Sequence, residues 1–394
     1  MMKSSRLFFL SLAILLIWLA VVTALRTNFG SKIRFFADEY DRSFYFQRGA
    51  WSVDHQVPYR DTVSEYPQIP TYLFGLIRLF VGEENNLNTA YWIFSSFFSL
   101  VMGLVLVASI RLLYGMLPEK NDWAYLLLLP APLYFAFNRF DILPAYLTLL
   151  SYKILQDKRW DLAAVLLGVG ALTKWYPALL LPAYLVYYYK TTGQIPWRLI
   201  LIFGLTCLVI ILPTLISGGM DALLVPYRFH MERGTETVSL PTLFNHLIGN
   251  VFGKPINPKY LLPAFLLLQV SVVPFLLWAQ PDRPSKLLNW CILIICAFIL
   301  FSRIYSPQWL LWLFPFSILA AQNKRDRGLL ILFGVTTYIG FPVIWDTFGG
   351  DSREMIFMGI VYIVMLGLIG WTAISRIREP KLTWSSLPIH HEQI

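Results

Sequence analysis

Three carboxylates lie among aromatic residues in the segment FADEYDRSFYFQRGAW, residues 36–51, directly after a long apolar run. A carboxylate with a reference pKa of about 4 is ionised at neutral pH and can accept a proton from a hydroxyl group, so Asp41 and Asp38 are candidate general bases. A helix through this segment would put both on one face, and Asp38 is also suited to cap its first amides. Asp41 could instead form a surface ion pair with Arg42 or Arg48.

Three cations occupy polar tips inside apolar segments. The tips are NRFD in 123–156, TKWYP in 161–189 and SRIYSPQ in 287–321. Each segment is shorter than the roughly 40 residues that two full crossings need, so we expect a hairpin that turns back inside the outer half of the membrane. One long tilted helix is the alternative for each segment.

A charge at that depth costs about 2.5 to 3.5 kcal/mol, so Arg139, Lys174 and Arg303 predict a bound anion. Several convergent donors favour a phosphate, which Arg binds in bidentate fashion and Lys as a point charge. Pairing of Arg139 with Asp141, or long side chains that reach the lipid headgroups, would be the structural alternative.

Polar residues of two long loops and of the tips complete the predicted substrate site. The predicted substrate-binding residues are Glu65, Tyr66, Arg139, Asp141, Lys174, Tyr176, His230, Arg233, Arg303 and Gln308. Aromatic residues of the loops suit sugar rings, and they equally suit an aromatic belt at the membrane interface. His230 has no second His or Cys at ligand spacing, so we predict no metal site.

Composition indicates a membrane protein, since the 394 residues are 57% hydrophobic, 16% aromatic and only 14% charged. Residues 7–25 are long enough for one spanning helix, and a retained helix is favoured over a cleaved signal peptide because no small-residue cleavage site follows cleanly. The three cysteines lie in apolar segments, which favours buried thiols. The net charge of +9 is expected to face anionic lipid rather than nucleic acid.

The remaining apolar segments predict an all-α polytopic membrane protein with about twelve transmembrane helices in a single domain. Beyond 7–25 these segments are 90–114, 122–137, 140–156, 161–173, 176–189, 197–216, 259–279, 287–302, 308–321, 328–344 and 354–376. Basic connections and the tail 376–394 fall on the side of the N-terminus, which the positive-inside rule makes cytoplasmic. The other face then carries a first outer loop, 26–89, and a second, 217–258. Within the first, 69–81 is predicted to be an interfacial or re-entrant helix.

Five motifs follow one another between about residue 35 and residue 316: DRSFYFQRGAWSVDHQVPYRDTVSEYP, NRFDILPAYLTLL, LLLGVGALTKWYPALLLPAYL, FHMERGTETVSLPTLF and YSPQWLLWLFPF. Together they resemble the polyprenol-phosphate-dependent mannosyltransferases of glycosyltransferase family 87, which are C-type integral membrane enzymes and include phosphatidylinositol-mannoside mannosyltransferases. The family pattern has an Asp four residues before a Tyr and about eighteen before a Pro-Tyr pair. Asp41, Tyr45 and Pro58-Tyr59 meet that spacing, and Asp38 does not.

The resemblance implies C-type architecture and inverting transfer of a hexose, expected to be mannose, from a polyprenyl-phosphate donor to a hydroxyl of a lipid or glycan acceptor. It also implies a plasma-membrane enzyme with its active site outside and an acidic base that opens the first outer loop. A soluble nucleotide donor is not expected, because the chain has no Gly-rich strand-to-helix signature. We expect no cofactor and no required metal, since the cations could stabilise the departing phosphate.

Other classes of protein stay open at this point. A transporter or flippase of a polyprenyl-linked sugar would also need a cationic cavity in the membrane, although the chain shows no clear internal repeat. A non-catalytic scaffold would leave the sunken charges unexplained. A polymerase or ligase that acts on diphosphate-linked glycans would share most of the chemistry.

Overall fold

A computed structural model describes residues 35–82, 86–117 and 119–378, together with residues 9, 11–13, 15 and 16. Most of the predicted span 7–25 and most of the tail 376–394 lie outside the described residues. The described residues form helices and their connections, with no strand and one isolated bridge between Pro58 and Thr62. The predicted all-α class is therefore confirmed.

The helices follow the predicted apolar segments closely. In the first half they are α1 Glu39–Gly49, α2 Gln68–Val81, α3 Leu87–Met116, α4 Pro130–Asn138, α5 Ile142–Gln156, α6 Trp160–Thr173, α7 Leu181–Thr192 and α8 Trp197–Glu232. In the second half they are α9 Leu240–Phe252, α10 Pro258–Val270, α11 Val272–Trp278, α12 Pro284–Phe301, α13 Leu310–Ala320, α14 Lys324–Tyr338, α15 Trp345–Phe348 and α16 Arg353–Arg378. Short 3₁₀ segments cover Ala50–Ser52, Asn121–Leu128, Tyr176–Leu180 and Pro307–Trp309, and a π-helix covers Ile339–Ile344.

Six helices of the described residues are long and apolar enough to cross a bilayer, which makes the chain a multi-pass membrane protein. They are Leu87–Met116, Trp197–Glu232, Pro258–Trp278, Pro284–Phe301, Lys324–Phe348 and Arg353–Arg378. Several predicted spans are shorter apolar helices instead, among them Trp160–Thr173 and Pro307–Ala320. The count of about twelve spans stays a prediction.

Each of the three short segments is broken at its predicted polar tip. The last helical residue and the residue after it are Asn138 and Arg139, Thr173 and Lys174, and Phe301 and Ser302. Arg139 and Lys174 have extended backbones, with φ/ψ of −130°/152° and −157°/140°. Pro177 and Pro307 follow two of the breaks and could not continue a helix without losing a hydrogen bond. The alternative of one unbroken helix is wrong for all three segments.

Close contact between α1 and α2 fixes the start of the first outer loop. A Cβ on Gly49 would lie 2.5 Å from the carbonyl oxygen of Phe74, and one on Gly75 would collide with the ring of Trp51. Because neither glycine has a side chain, the two helices can approach at this point. Tyr45 then stacks on Phe74, with ring centroids 4.6 Å apart, and is 1% exposed.

The predicted second outer loop is largely helical. Helix α8 has 36 residues, which corresponds to about 54 Å against a hydrocarbon core of about 30 Å. Its backbone departs from helical geometry at Gly219, with φ 70° and ψ −167°, a conformation that favours glycine. The residues beyond Gly219 therefore form a separate helical arm, which carries His230.

The three cysteines are unpaired, as expected for core thiols. Cys291 and Cys296 are buried, and Cys207 is half-buried.

The predicted topology is testable by chemical labelling. Single cysteines at Asp54 and Thr235, both exposed, should react with a membrane-impermeant maleimide added to intact cells, because they lie on the predicted outer face. Cysteines at Asp157 and Arg325, also exposed, should react only after the membrane is permeabilised. The unmodified protein reports the background from its own three thiols. Labelling of the Asp157 variant in intact cells would contradict the orientation.

Candidate active site

Asp38 is the N-cap residue of α1. Its Oδ1 accepts hydrogen bonds from the backbone amides of Tyr40 and Asp41, at 3.1 and 3.4 Å. Its own N–H donates to Oδ1 of Asn138 at 2.9 Å, and its Oδ2 pairs with Arg139. The predicted capping role of Asp38 is confirmed, and its two carboxylate oxygens are both engaged.

Asp41 lies in the first turn of α1 and is the more accessible carboxylate, with 19% of its side chain exposed against 8% for Asp38. Its Oδ2 contacts the Arg139 guanidinium and lies 3.5 Å from the hydroxyl of Tyr45. Burial raises the pKa of Tyr45 well above its usual range, so this hydroxyl stays protonated and can donate. Besides its contact with Arg139, the Asp41 carboxylate accepts one hydrogen bond, whereas that of Asp38 accepts two, so Asp41 has more capacity left to accept a proton.

The expected alternative for Asp41, an ion pair with Arg42 or Arg48, does not occur. Arg48 pairs with Glu65, with 2.8 Å between Nε and Oε2. Arg42 is buried and donates from Nε to the carbonyl of Asp38 at 3.0 Å. Asp41 is instead paired with Arg139, a residue of the first polar tip.

Arg139 lies between Asp38 and Asp41 and contacts both carboxylates. The alternative in which it pairs with Asp141 is therefore wrong. Asp141 is fully buried and pairs with Lys174 of the second tip, with 3.0 Å between Oδ1 and Nζ. We call Asp38, Asp41, Arg139, Asp141 and Lys174 the charge cluster. Three carboxylates and two cations give it a formal charge of −1.

Aromatic rings pack against Lys174 in the second tip. The ammonium of Lys174 lies 4.6 Å from the ring centroid of Phe140 and 5.5 Å from that of Trp312. Trp312 donates from its indole nitrogen to Asp141 at 2.8 Å, and Tyr176 stacks on it at 4.4 Å. Tyr176 is only 2% exposed, so this predicted substrate-binding residue contacts protein groups here and supports Trp312 from the core.

Arg303 differs from the other two tip cations. Its Nη2 donates to the backbone carbonyls of His230 and, at 3.1 Å, Met231. Within the described part of the chain no carboxylate lies within 4.0 Å of its guanidinium nitrogens. Arg303 therefore keeps a positive charge that no neighbouring carboxylate neutralises.

The helical arm of α8 places His230 next to Arg303 and the second tip. Nε2 of His230 is 3.0 Å from the carbonyl oxygen of Glu65, and its ring lies 5.0 Å from that of Trp175. Trp175 follows Lys174 and stacks on Tyr227 at 4.8 Å. Both predicted outer loops therefore meet the second tip.

Three other predicted binding residues contact neighbouring protein groups. Arg233, in the linker after α8, pairs with Glu236. Gln308, in the third tip, accepts a hydrogen bond from the hydroxyl of Ser306 at 2.7 Å. Tyr66 packs its ring against Phe140 at 5.1 Å.

The three tip cations share a local feature, because each follows the C-terminal end of a helix. Arg139 and Lys174 are the C-cap residues of α4 and α6, and Arg303 is two residues past α12. Free carbonyls at a helix end carry partial negative charge and stabilise a nearby cation by about 0.3 to 1 kcal/mol. The fold therefore offsets part of the cost of placing these cations among apolar helices.

Two residues that hold the site were not predicted from the sequence. Nδ2 of Asn138 donates to the carbonyls of Tyr134 and Phe36, at 2.8 and 3.2 Å, while its Oδ1 accepts from Asp38. Asn138 opens the first tip, and the polar tip itself was the signal that could have identified it. Trp312 lies inside a continuous apolar run, where no sequence pattern marks an indole that bonds a buried carboxylate.

Residues 66–307, more than half of the chain, match the family model of glycosyltransferase family 87. The matched range contains the first two tips, His230 and the third tip up to Pro307, and it begins downstream of Asp38 and Asp41. No match to a curated protein was found. Among the described residues no group of three or more His, Cys, Asp or Glu could hold a metal ion. The metal requirement of the reaction stays a prediction.

Asn138 should be required for the register between α1 and the first tip. Asn138→Ala would leave the buried N–H of Asp38 without its acceptor, which costs about 1 to 3 kcal/mol for each such group. We expect a lower unfolding temperature for the purified variant in detergent. The matched control is Asn88→Ala, an exposed asparagine in α3. Equal unfolding temperatures for the two variants would contradict the role of Asn138.

Proposed function

Because the chain belongs to glycosyltransferase family 87 and is a multi-pass membrane glycosyltransferase, we propose that it transfers a hexose from a polyprenyl-phosphate donor. The acceptor is a hydroxyl of a lipid or glycan, the sugar is mannose, and the site faces the outside of the plasma membrane. The observations that carry this proposal are the pairing of Asp41 with Arg139 of the first tip and the contact of Arg303, in the third tip, with backbone carbonyls alone. About twelve spans of C-type architecture, with both termini cytoplasmic, complete the proposal.

The reaction is a single displacement with inversion. The acceptor oxygen attacks the anomeric carbon from the face opposite the phosphate, and the bond between that carbon and the phosphate oxygen breaks. The acceptor proton passes to a carboxylate, and polyprenyl phosphate leaves with the bonding electron pair. The protein must therefore supply a base on one side of the sugar and positive charge on the other.

Asp41 is the better placed of the two candidate bases. Asp38 holds the first turn of α1 and Arg139 with its two oxygens, so protonation would disturb contacts on which the loop depends. Asp41 shares Arg139 and has the more exposed side chain, 19% against 8% for Asp38. The Tyr45 hydroxyl and Arg139 orient Asp41 for proton transfer.

The departing phosphate needs a cation whose charge is not already neutralised. A glycosyl phosphodiester carries one negative charge, and the monoester it leaves behind carries up to two near neutral pH. Arg303 is suited to this role because backbone carbonyls hold it without cancelling its charge. Lys174 contributes as a secondary donor, since Asp141 occupies only part of its hydrogen-bonding capacity.

Arg139 acts as a positioning residue in this scheme. Two carboxylates already neutralise the charge of Arg139, so it attracts a phosphate only weakly. Of the three tip cations, Arg303 and Lys174 are therefore the ones proposed to bind the phosphate. His230, Arg233, Glu65, Tyr66 and Gln308 are proposed to contact the sugar or the acceptor.

The alternative functions are a transporter, a scaffold, and a polymerase or ligase. Membership of the family favours a transferase over a transporter or a scaffold. Polymerases and ligases that use diphosphate-linked donors would have to neutralise one more negative charge in the leaving group. A single cation without a carboxylate partner fits a monophosphate donor better.

Replacement of the two candidate bases separates their roles. Asp41→Asn should lower the transfer of radiolabelled mannose from polyprenyl phosphate by about 10² to 10⁴-fold per folded molecule, because the amide cannot accept the proton. Asp38→Asn keeps an oxygen for the cap and should retain most of its turnover while unfolding at a lower temperature. Each variant leaves Arg139 with one carboxylate partner, so the two are matched controls. Normal transfer by Asp41→Asn, or a larger loss in Asp38→Asn, would contradict the assignment of Asp41 as the base.

Arg303 is expected to act on the donor phosphate. Arg303→Gln should lower kcat/KM for the polyprenyl-phosphate donor by about 10 to 100-fold, which corresponds to one charge-assisted hydrogen bond. Arg303→Lys should recover part of the loss, since it restores the charge. Arg228→Gln is the control, because Arg228 lies on the same helical arm and pairs with Asp221 at the surface. Equal kinetics of Arg303→Gln and Arg228→Gln would refute the phosphate role.

A further inference from the structure

The linker between the helical arm and α9, residues 233–239, runs alongside the third tip. The backbone N–H of Glu236 donates to the carbonyl of Arg303 at 3.0 Å. The guanidinium of Arg303 in turn donates to the carbonyls of His230 and Met231, in the last turn of the arm. The end of the arm and the linker therefore bond Arg303 through both its backbone and its side chain.

The side chain of Glu236 connects the start of this linker to the third tip. Its Oε1 pairs with Nη2 of Arg233, three residues earlier. Burial raises the pKa of Glu236, whereas Arg233 and the backbone amide of Tyr305 lower it, so the carboxylate also lies close to that amide. One carboxylate thus faces both the first residue of the linker and a residue two positions past Arg303.

Helix α16 packs against both the linker and the third tip. Tyr305 is 5% exposed and stacks on Tyr362, with ring centroids 5.1 Å apart. Val238 is 3% exposed, and a Cβ on Gly359 would lie 3.2 Å from its Cα. Gly359 and Tyr362 are three residues apart and so lie on one face of the helix. This face holds the linker and the tip side by side, with Glu236 between them.

We propose that Glu236 is a positioning residue for Arg303, an inference that rests on the proposed role of Arg303 in binding the donor phosphate. The ion pair with Arg233 closes the turn after the arm, and this fixes the two arm carbonyls to which the guanidinium donates. Among the described residues Arg303 has no carboxylate partner, so the direction of its guanidinium depends on these carbonyls.

A different role for Glu236 would be to restrain Arg233. Among the described residues the carboxylate forms an ion pair with Arg233 and none with Arg303. If Arg233 were the cation that meets the phosphate, loss of the carboxylate would free its charge and strengthen donor binding. If Glu236 positions Arg303, the same loss should weaken donor binding. The two roles therefore predict opposite effects.

Donor kinetics of Glu236 variants test the proposal. Glu236→Gln keeps an oxygen for the Tyr305 amide but removes the charge that holds Arg233, so kcat/KM for the polyprenyl-phosphate donor should fall by about tenfold. Glu236→Ala removes both contacts and should lose more. Glu232→Gln is the control, because Glu232 is an exposed residue of the arm that forms no ion pair with a described residue. The unfolding temperatures of Glu236→Gln and Glu232→Gln should be similar, since a partly exposed ion pair contributes little to stability.

A double-mutant cycle with Arg303 separates positioning from a general structural effect. If Glu236 acts through Arg303, Glu236→Gln should cause no further loss in the Arg303→Gln background, because no guanidinium is left to orient. Full additivity of the two losses would overturn the proposal. A gain in donor kcat/KM for Glu236→Gln would also overturn it and would assign the phosphate to Arg233.

The same variants separate this inference from the proposed function. If Arg303→Gln itself has normal donor kinetics, the phosphate role of Arg303 fails, and the positioning role of Glu236 fails with it. If Arg303→Gln is impaired and Glu236→Gln behaves like Glu232→Gln, the positioning role alone is wrong. If Glu236→Ala fails to fold, Glu236→Gln and its cycle decide the outcome.

Discussion

The contact of one guanidinium with two carboxylates is the interaction on which the site depends. Arg139 comes from a broken membrane segment, whereas Asp38 and Asp41 open the first outer loop, about a hundred residues away in sequence. A buried arginine without a carboxylate would be costly, and two adjacent carboxylates without a cation would repel each other. Each side therefore requires the other, and the pairing fixes where α1 begins relative to the first tip.

The broken segments explain how charge can lie among apolar helices at all. Each tip cation follows the free carbonyls of a helix end, and two of the three then find a carboxylate. Arg303 has backbone carbonyls in place of a carboxylate, and that difference gives the site its asymmetry. In the proposed reaction Asp41, paired with Arg139, serves as the base, and Arg303 serves as the cation that meets the phosphate.

Much of this arrangement could be predicted from the sequence because membrane thickness constrains it. Segments too short for two crossings, each with a polar centre, had to break at Arg139, Lys174 and Arg303 if they did not cross as one helix. The resemblance of five ordered motifs likewise predicted the family, which the match over 66–307 confirms. The cap at Asp38 followed from its place ahead of a polar helix.

The pairing of the charges could not be predicted in the same way. Arg139 and Asp141 are two residues apart, and sequence proximity suggested as an alternative a pair that does not form. Partner choice depends instead on which tips the helices bring together, since Asp141 turns toward Lys174 and Trp312. The role of Asn138 and the helical arm beyond Gly219 depend on the same tertiary packing, which leaves no periodic pattern in the sequence.

The most direct test of a base-assisted single displacement is the anomeric configuration of the product. Nuclear magnetic resonance of the transferred sugar, compared with that of the polyprenyl-phosphate donor, reports whether the anomeric centre has inverted. Inversion is predicted, because Asp41 removes a proton from the acceptor and forms no bond to the sugar. Retention of configuration would require a covalent intermediate or attack from the side of the leaving group, and it would contradict the role of Asp41 as a base.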